Sequence, residues 1–316
     1  MLKSVEILVP VYNEENLIGK FVTQIENLKL SLKNLQVELH ITFIDDGSND
    51  GTWNSISEQS INLTWCRGIK LSRNFGKEAA LFAGIIHADS QAIIPMDVDF
   101  QDPPELVFDL INDWKNGKTH VLARRSSRDL DSFFKRISAK IFYKVYNSIA
   151  EKPIPENVGD FRLMDKSVYE NIKLMKDSKI FMKEIFSFVG DGDSLIDFRR
   201  PATSRFGNSP SQSLSKLLLL AELAVTSAGP SLFRKILKLT ILMNSILFFY
   251  LLSIVLNWLT GNSPFNGFAT LVVINIFSFT MVMTLLSLIG IVSSNILVES
   301  KSRPAFLVSK KTDNFV

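Results

Sequence analysis

The stretch Ala92-Ile93-Ile94-Pro95-Met96-Asp97-Val98-Asp99-Phe100-Gln101-Asp102-Pro103-Pro104-Glu105 decides the fold. A short apolar run ending in two carboxylates one residue apart is a strand that delivers acid to its C-terminal end. Asp102-Pro103-Pro104-Glu105 then reads as a helix start, with Asp102 as N-cap and a proline at the first helical position, and the helix runs to about Trp114. Working outward, the same pattern recurs. Val5 to Val9 is a strand followed by Asn13-Glu14, Leu17 to Leu30 has helical spacing, and Val37 to Ile44 is a strand that stops at Asp45-Asp46-Gly47. Gly68 to Leu71 adds a strand and Glu78 to Ala88 a helix. Strands alternating with helices give an α/β fold with a mainly parallel sheet covered by helices. Ligands of such sheets bind at the carboxyl ends of the strands, where these acidic clusters fall.

Composition narrows the function. Lys+Arg 35 against Asp+Glu 32 leaves a net charge of +3, too small for a broad nucleic-acid surface. The one cysteine, Cys66, allows no internal disulfide, and His40, His87 and His120 are scattered, so a zinc site is not expected. Glu6 interrupts the first apolar run and Pro10 follows directly, unlike a signal peptide, so the first domain is expected in the cytoplasm.

The C-terminal part differs in character. Leu214, Leu217, Leu218, Ala221 and Val225 share one helical face, and Arg234, Lys235 and Lys238 stand among Leu232, Phe233, Ile236 and Leu237, as at an anionic headgroup layer. From Leu239 to Val298 there is no Asp, Glu, Lys, Arg or His, and Thr260-Gly261-Asn262-Ser263-Pro264 divides that run into stretches of spanning length. The expectation is a two-helix transmembrane hairpin, with basic residues at both flanks placing both termini in the cytoplasm. The domains are thus read as 1–212 catalytic, 213–235 amphipathic interface helices, and 236–316 two spans and a tail.

Three acidic clusters at one sheet edge, Asn13-Glu14, Asp45-Asp46 and Asp97-x-Asp99, repel one another unless a cation or positive ligand is present. Hard oxygen ligands without Cys or His favour Mg²⁺ or Mn²⁺. No Walker-type loop and no G-x-G-x-x-G follows an expected strand, so phosphate charge must be met by metal and by Arg or Lys. A metal-held diphosphate fits that set. Lys77 stays open between a surface charge at a helix start and a functional cation, and Arg162 between a structural partner of Asp160 and a site residue.

Val9-Pro10-Val11-Tyr12-Asn13-Glu14, Asp45-Asp46-Gly47-Ser48, Ser72-Arg73-Asn74-Phe75-Gly76-Lys77 and the Met96–Glu105 segment resemble, in order and spacing, the family 2 glycosyltransferases of GT-A type. Gly159-Asp160-Phe161-Arg162-Leu163 is similar to a later motif of the polyprenyl-phosphate branch, which includes bactoprenol glucosyltransferases, dolichol-phosphate mannose synthases and undecaprenyl-phosphate aminoarabinose transferases. The resemblance covers nearly the whole chain. It implies that Pro10, Tyr12, Glu14, Ile44 and Asp46 hold base and ribose, that Asp97 and Asp99 face the diphosphate with Val98 and Lys77 beside them, and that Asp99 and Gln101 ligate the metal. Arg125 and Arg205 would lie near donor or acceptor phosphate, and Asp160 at the acceptor or as a base. The chain departs from the family at Gly207-Asn208-Ser209-Pro210, which lacks the usual lysine, at Phe188-Val189-Gly190-Asp191, and at Gly290-Ile291-Val292.

The resulting expectation is an inverting sugar transferase that moves a sugar from a nucleoside diphosphate sugar to a polyprenyl phosphate. It would sit in the bacterial inner membrane with its partners the donor, the lipid phosphate and the bilayer, without nucleic acid, and with a homo-oligomer left open. The alternatives are another membrane-associated acceptor, a processive polymerase, or an inactive scaffold that binds nucleotide sugars.

Overall fold

The computed structural model describes residues 3–32, 35–126, 157–175, 180–190, 192–199, 267–300 and 303–315, with isolated positions at 147, 155, 242, 245, 246, 249, 250, 252, 253, 256, 259 and 260. Its elements, in chain order, are β1 (Lys3–Val11), α1 (Glu15–Leu32), β2 (Val37–Asp45), α2 (Thr52–Asn62), β3 (Cys66–Leu71), α3 (Lys77–His87), β4 (Ala92–Pro95) and α4 (Leu106–Lys115). Then come β5 (His120–Arg125), β6 (Val158–Asp165), α5 (Lys166–Lys173), α6 (Met182–Val189), β7 (Ser194–Phe198), α7 (Gly267–Ser300) and β8 (Val308–Lys311). The chain divides into two compact units. One comprises residues 1–144, 152–211 and 303–316, and the other 145–151 and 212–302.

The first unit holds an eight-stranded sheet in the order β7-β5-β6-β4-β1-β2-β3-β8. β1 pairs parallel with both β2 and β4, and β2 with β3, while β6 runs antiparallel between β4 and β5. Alternating side chains of β1 feed two cores: Val5, Ile7, Val9 and Val11 pack with α1 and α4, and Leu8 packs with α3. Glu6, on the same strand, is fully buried, and its carboxylate accepts from Arg67 Nη2 at 2.8 Å and from the Thr42 hydroxyl. The chain turns one way from β1 to β2 and the other way from β3 to β4, so the β1/β4 crevice is a topological switch point.

Three readings change here. Asp102 is not the N-cap of α4, which starts at Leu106 after Glu105. The two prolines set a turn first, and Asp102 is buried instead, its carboxylate facing the Asp97 N–H at 3.4 Å. The tail assigned to the C-terminal segment returns to the first unit, where β8 pairs antiparallel with β3 and the Gly68 N–H donates to Thr312 Oγ1 at 2.9 Å. Four residues are too few to read as a strand without their partner.

The third change concerns the membrane. The expected integral protein with two spans and cytoplasmic termini is overturned: among the described residues no helix is long and apolar enough to cross a membrane. A run without charge is a property of composition. A span needs about 20 consecutive, predominantly apolar helical residues. The described side chains of α7 include exposed Leu271, Phe279 and Ile289 but also exposed Asn275, Ser278 and Ser293. The expected interface helices and most of the first stretch lie outside the described residues.

Candidate active site

The carboxyl end of β1 brings Pro10, Val11 and Tyr12 to the crevice, and the segment after β4 brings Asp97, Val98 and Asp99 to its other wall. Between them lies a cavity of about 310 Å³, closed at its sides by Glu14, Asp46, Asn74, Gly76, Lys77 and Ala80. Asp46 is almost fully buried and anchors the loop before α3, accepting from Phe75 N at 2.7 Å and Gly76 N at 2.9 Å. Burial pushes its carboxyl above the ordinary value even though those two N–H groups pull the other way. Gly47 has φ 70, and a Cβ there would meet the Arg73 carbonyl carbon at 2.4 Å, so the loop closes over a position that only glycine fits. On the facing side Asn13, at φ 55, donates its N–H to Ser48 Oγ at 2.9 Å.

The acidic loop is ordered by itself. Asp99 accepts from the Gln101 backbone N–H at 3.1 Å and from Gln101 Nε2 at 2.6 Å, with Phe100 between them at φ 59 and its ring 6.1 Å from that of Phe21. Glu14 feels the result. Burial, then the charges of Asp99 and Asp50, raise its carboxyl above the usual range. This end of the cavity is short of positive charge.

A second cavity of about 160 Å³ adjoins the first and shares Lys77 and Asp97 with it. Its other walls include Asp102, Arg125, Asn157, Gly159, Asp160 and Lys183. Lys77 Nζ lies 2.7 Å from Asp97 Oδ1 and 3.3 Å from Asp160 Oδ2. Burial would lower the ammonium's pKa, but the charges of Asp97 and Asp160 raise it well above the ordinary lysine value. Asp160 is the mirror case: burial alone would raise it, yet Lys77, Arg162 and Lys183 hold it below the ordinary carboxylate value. Behind it Arg162 is buried, donates to the Gly159 carbonyl at 2.6 Å, and stacks 4.0 Å over the Phe186 ring. Burial depresses the guanidinium to about 10. His120 packs beside it and is depressed to about 4 by burial and by Arg162.

Of the residues assigned by resemblance, Pro10, Tyr12, Glu14, Asp46, Lys77, Asp97, Val98 and Asp99 line the first cavity, and Arg125 and Asp160 the second. Ile44 does not reach either. It is fully buried in the core, its Cδ1 against Gly84 of α3. Gln101 sits against Asp99 without lining the cavity, and Arg205 lies outside the described residues. Asn74 and Gly76 had a signal in their motif but no assigned role. Lys183, from a short helix with no motif around it, had none.

With that geometry in place, comparison with known proteins is decisive. The pattern described as Glycosyl transferase family 2 matches residues 6–173. The chain belongs to this family. It is a glycosyltransferase, and the likeness to relatives runs along its length. A bactoprenol glucosyl transferase of Shigella phage SfV is 36% identical over 97% of this chain and 98% of its own. The prophage bactoprenol glucosyl transferase homolog of Escherichia coli strain K12 is 36% identical over the same two shares. Among solved structures, mannosyl-3-phosphoglycerate synthase from Rubrobacter xylanophilus superposes with a TM-score of 0.50 at 17% identity, covering 74% of each chain, which supports the glycosyltransferase's fold.

Proposed function

We propose that this glycosyltransferase moves a sugar from a nucleoside diphosphate sugar to a polyprenyl phosphate with inversion at the anomeric carbon. The observation that carries the reading is the pair of adjoining cavities meeting at Asp97 and Lys77, in a chain alike over its full length to bactoprenol glucosyl transferases. The first cavity suits the donor. Tyr12, 41% exposed at its mouth, offers a face for the base, and Asp46 and Glu14 offer carboxylates for ribose hydroxyls. The second, lined by Arg125 and Lys183 as well as Asp160, suits the acceptor's phosphate. Arg205 is proposed for the same phosphate.

In the transfer, an oxygen of the acceptor phosphate attacks the anomeric carbon from the face opposite the diphosphate. The bond from that carbon to the diphosphate oxygen breaks, and its electron pair leaves with the nucleoside diphosphate. With a second pKa near 6, the acceptor is largely dianionic at neutral pH and needs little deprotonation. Asp160 is therefore not required as a base, and its ionised carboxylate holds Lys77 where the two cavities meet.

Mg²⁺ or Mn²⁺ is the proposed cofactor. The fit rests on the carboxylates of Glu14 and Asp99, which crowd one end of the cavity, and on an all-oxygen donor set. Among the described residues no three His, Cys, Asp or Glu side chains converge on one point, so donor phosphate and water would complete the shell around Asp99 and Gln101. When bound, such an ion offsets the charge that gathers on the departing diphosphate.

The test offers the purified chain a panel of nucleoside diphosphate sugars with undecaprenyl phosphate in detergent and weighs the lipid by mass spectrometry. One donor should give a lipid heavier by one sugar. Nucleotide binding without glycolipid from any donor would overturn the acceptor assignment.

A further inference from the structure

Glu78 stands in the first turn of α3, next to Lys77, yet lines neither cavity. Its carboxylate reaches across to another helix, where Oε2 accepts the Met182 N–H of α6 at 2.6 Å. That N–H belongs to the first turn of α6, whose own backbone has no acceptor for it. The N-cap position is Phe181, an apolar side chain that makes no capping hydrogen bond. The Phe181 carbonyl takes the N–H groups of Glu184 and Ile185, and the Met182 N–H goes to Glu78, 104 residues away in the chain. A helix of eight residues does not hold its shape by propensity, so α6 depends on such outside contacts. A second brace lies at its middle, where the Arg162 guanidinium stacks 4.0 Å over the Phe186 ring.

What the braces hold is Lys183. It follows Met182 directly and lines the second cavity with Arg125 and Asp160. A cation in the first turn of a helix faces the positive end of the dipole, so α6 does not favour an ammonium there for its own sake. The carboxylate that caps the helix is held against a cost as well. Burial, then the charge of Asp160, raise the Glu78 carboxyl above its ordinary value, while the Met182 N–H, Lys77 and Lys183 pull the other way.

We propose that Glu78 is a positioning residue that, by capping α6 from outside, holds Lys183 in the wall of the second cavity and thereby sets how tightly the acceptor's phosphate binds. The first turn of α3 then serves that cavity twice, directly through Lys77 and by way of α6 through Glu78. The proposal rests on the acceptor reading given above and adds to it a residue outside both cavities.

The experiment separates the reach of the Glu78 side chain from its charge. Glu78→Gln keeps an oxygen at the same reach and removes the charge, Glu78→Asp keeps the charge and draws the oxygens back by one methylene, and Glu78→Ala removes both. Initial rates against undecaprenyl phosphate in detergent should show the lipid KM rising about tenfold in Glu78→Asp and Glu78→Ala but staying within about threefold of the wild type in Glu78→Gln. Nucleoside diphosphate affinity by calorimetry should be unchanged in all three. Lys183→Met should raise the same KM, and adding Glu78→Asp to it should raise it no further. Hydrogen exchange at the amides of the first turn of α6 should quicken in Glu78→Asp and Glu78→Ala alone. A lipid KM in Glu78→Gln as high as in Glu78→Ala would assign the effect to charge and overturn the proposal. So would an unchanged lipid KM in Glu78→Asp or Lys183→Met, or losses that add when the two are combined. Should Glu78→Ala fail to fold, Glu78→Asp decides the same point. No glycolipid from the wild type, together with quicker α6 exchange in Glu78→Asp, would refute the acceptor reading and leave the cap standing, whereas unchanged exchange with normal transfer would refute the cap alone.

Discussion

The walls of the first cavity are tied to backbone, whereas those of the second are held together by charge. Asp46 fastens the Phe75–Gly76 loop through two N–H groups, Ser48 fastens Asn13, and Gly47 lets the chain pass Arg73 closely enough for both. In the second cavity Lys77, Asp160, Arg125 and Lys183 come from four separate elements or their ends and meet through ion pairs and buried charge. Backbone hydrogen bonds survive a change of ligand. Ion pairs exchange with one. A rigid first cavity beside an adaptable second one follows from this difference in construction.

The largest effect should come from the acidic loop beside the first cavity. Asp99→Asn keeps the local turn, because an amide oxygen can still accept from the Gln101 N–H, but it deletes a charge from the ligand set. Turnover should fall by roughly 10²–10³-fold with the melting temperature unchanged, and excess chelator should do the same to the wild type. Full activity in chelator would remove the metal from the scheme.

The charged side can be sharpened through pH. His120 is depressed to about 4 from an ordinary 6.5, so the unfolded chain takes up its proton first as the pH falls. The stability its neutral ring contributes is complete above about pH 6.5 and is lost progressively as the pH drops toward 4. Urea unfolding at pH 7 and pH 4.5 should show the wild type losing on the order of 2 kcal/mol more than His120→Gln over that interval. Equal losses would mean that neither burial nor Arg162 holds the ring's titration below its ordinary value.

Two smaller changes probe the backbone-tied side. Gly47→Ala forces a Cβ onto the Arg73 backbone at positive φ and should cost about 2 kcal/mol of stability, with weaker nucleotide binding as the loop shifts. Ser48→Ala removes only the acceptor for the Asn13 N–H, worth about 1 kcal/mol, and should raise the donor KM a few-fold without touching kcat. A loss of kcat there would break the distinction between a preformed first cavity and an adaptable second one.

Sequence alone carried the strands around the first cavity well. The strands expected at Val5–Val9, Val37–Ile44, Gly68–Leu71 and Ala92–Met96 are found within two residues of those limits, because period-two burial and acidic stops both mark them. What was not legible depends on distant parts of the chain. The tie from Lys77 to Asp160 crosses more than eighty residues, and neither the antiparallel insertion of β6 between β4 and β5 nor the β8 tail has a local signature. Ile44 shows the opposite case. The resemblance implied a donor role for it, while the alternation of β2 turns its side chain into the core. The hairpin was expected from an uncharged run of spanning length, divided by a turn and flanked by basic residues, and no described helix is long and apolar enough to cross a membrane.

The pairing of β8 with β3 also bears on how the protein is made. β3 is finished early in synthesis, but its outer edge has no partner until Val308 has been added, more than two hundred residues later. At ribosomal rates of about 5–20 residues per second, that edge waits for about 10–50 s with its N–H and C=O groups open. Through this interval a nascent chain exposes a ready template for strand addition by a neighbour on the same message. The Ser72 N–H, two residues before Asn74 in the first cavity's wall, donates to the Leu307 carbonyl, so that loop too gains an anchor only once the late segment has arrived.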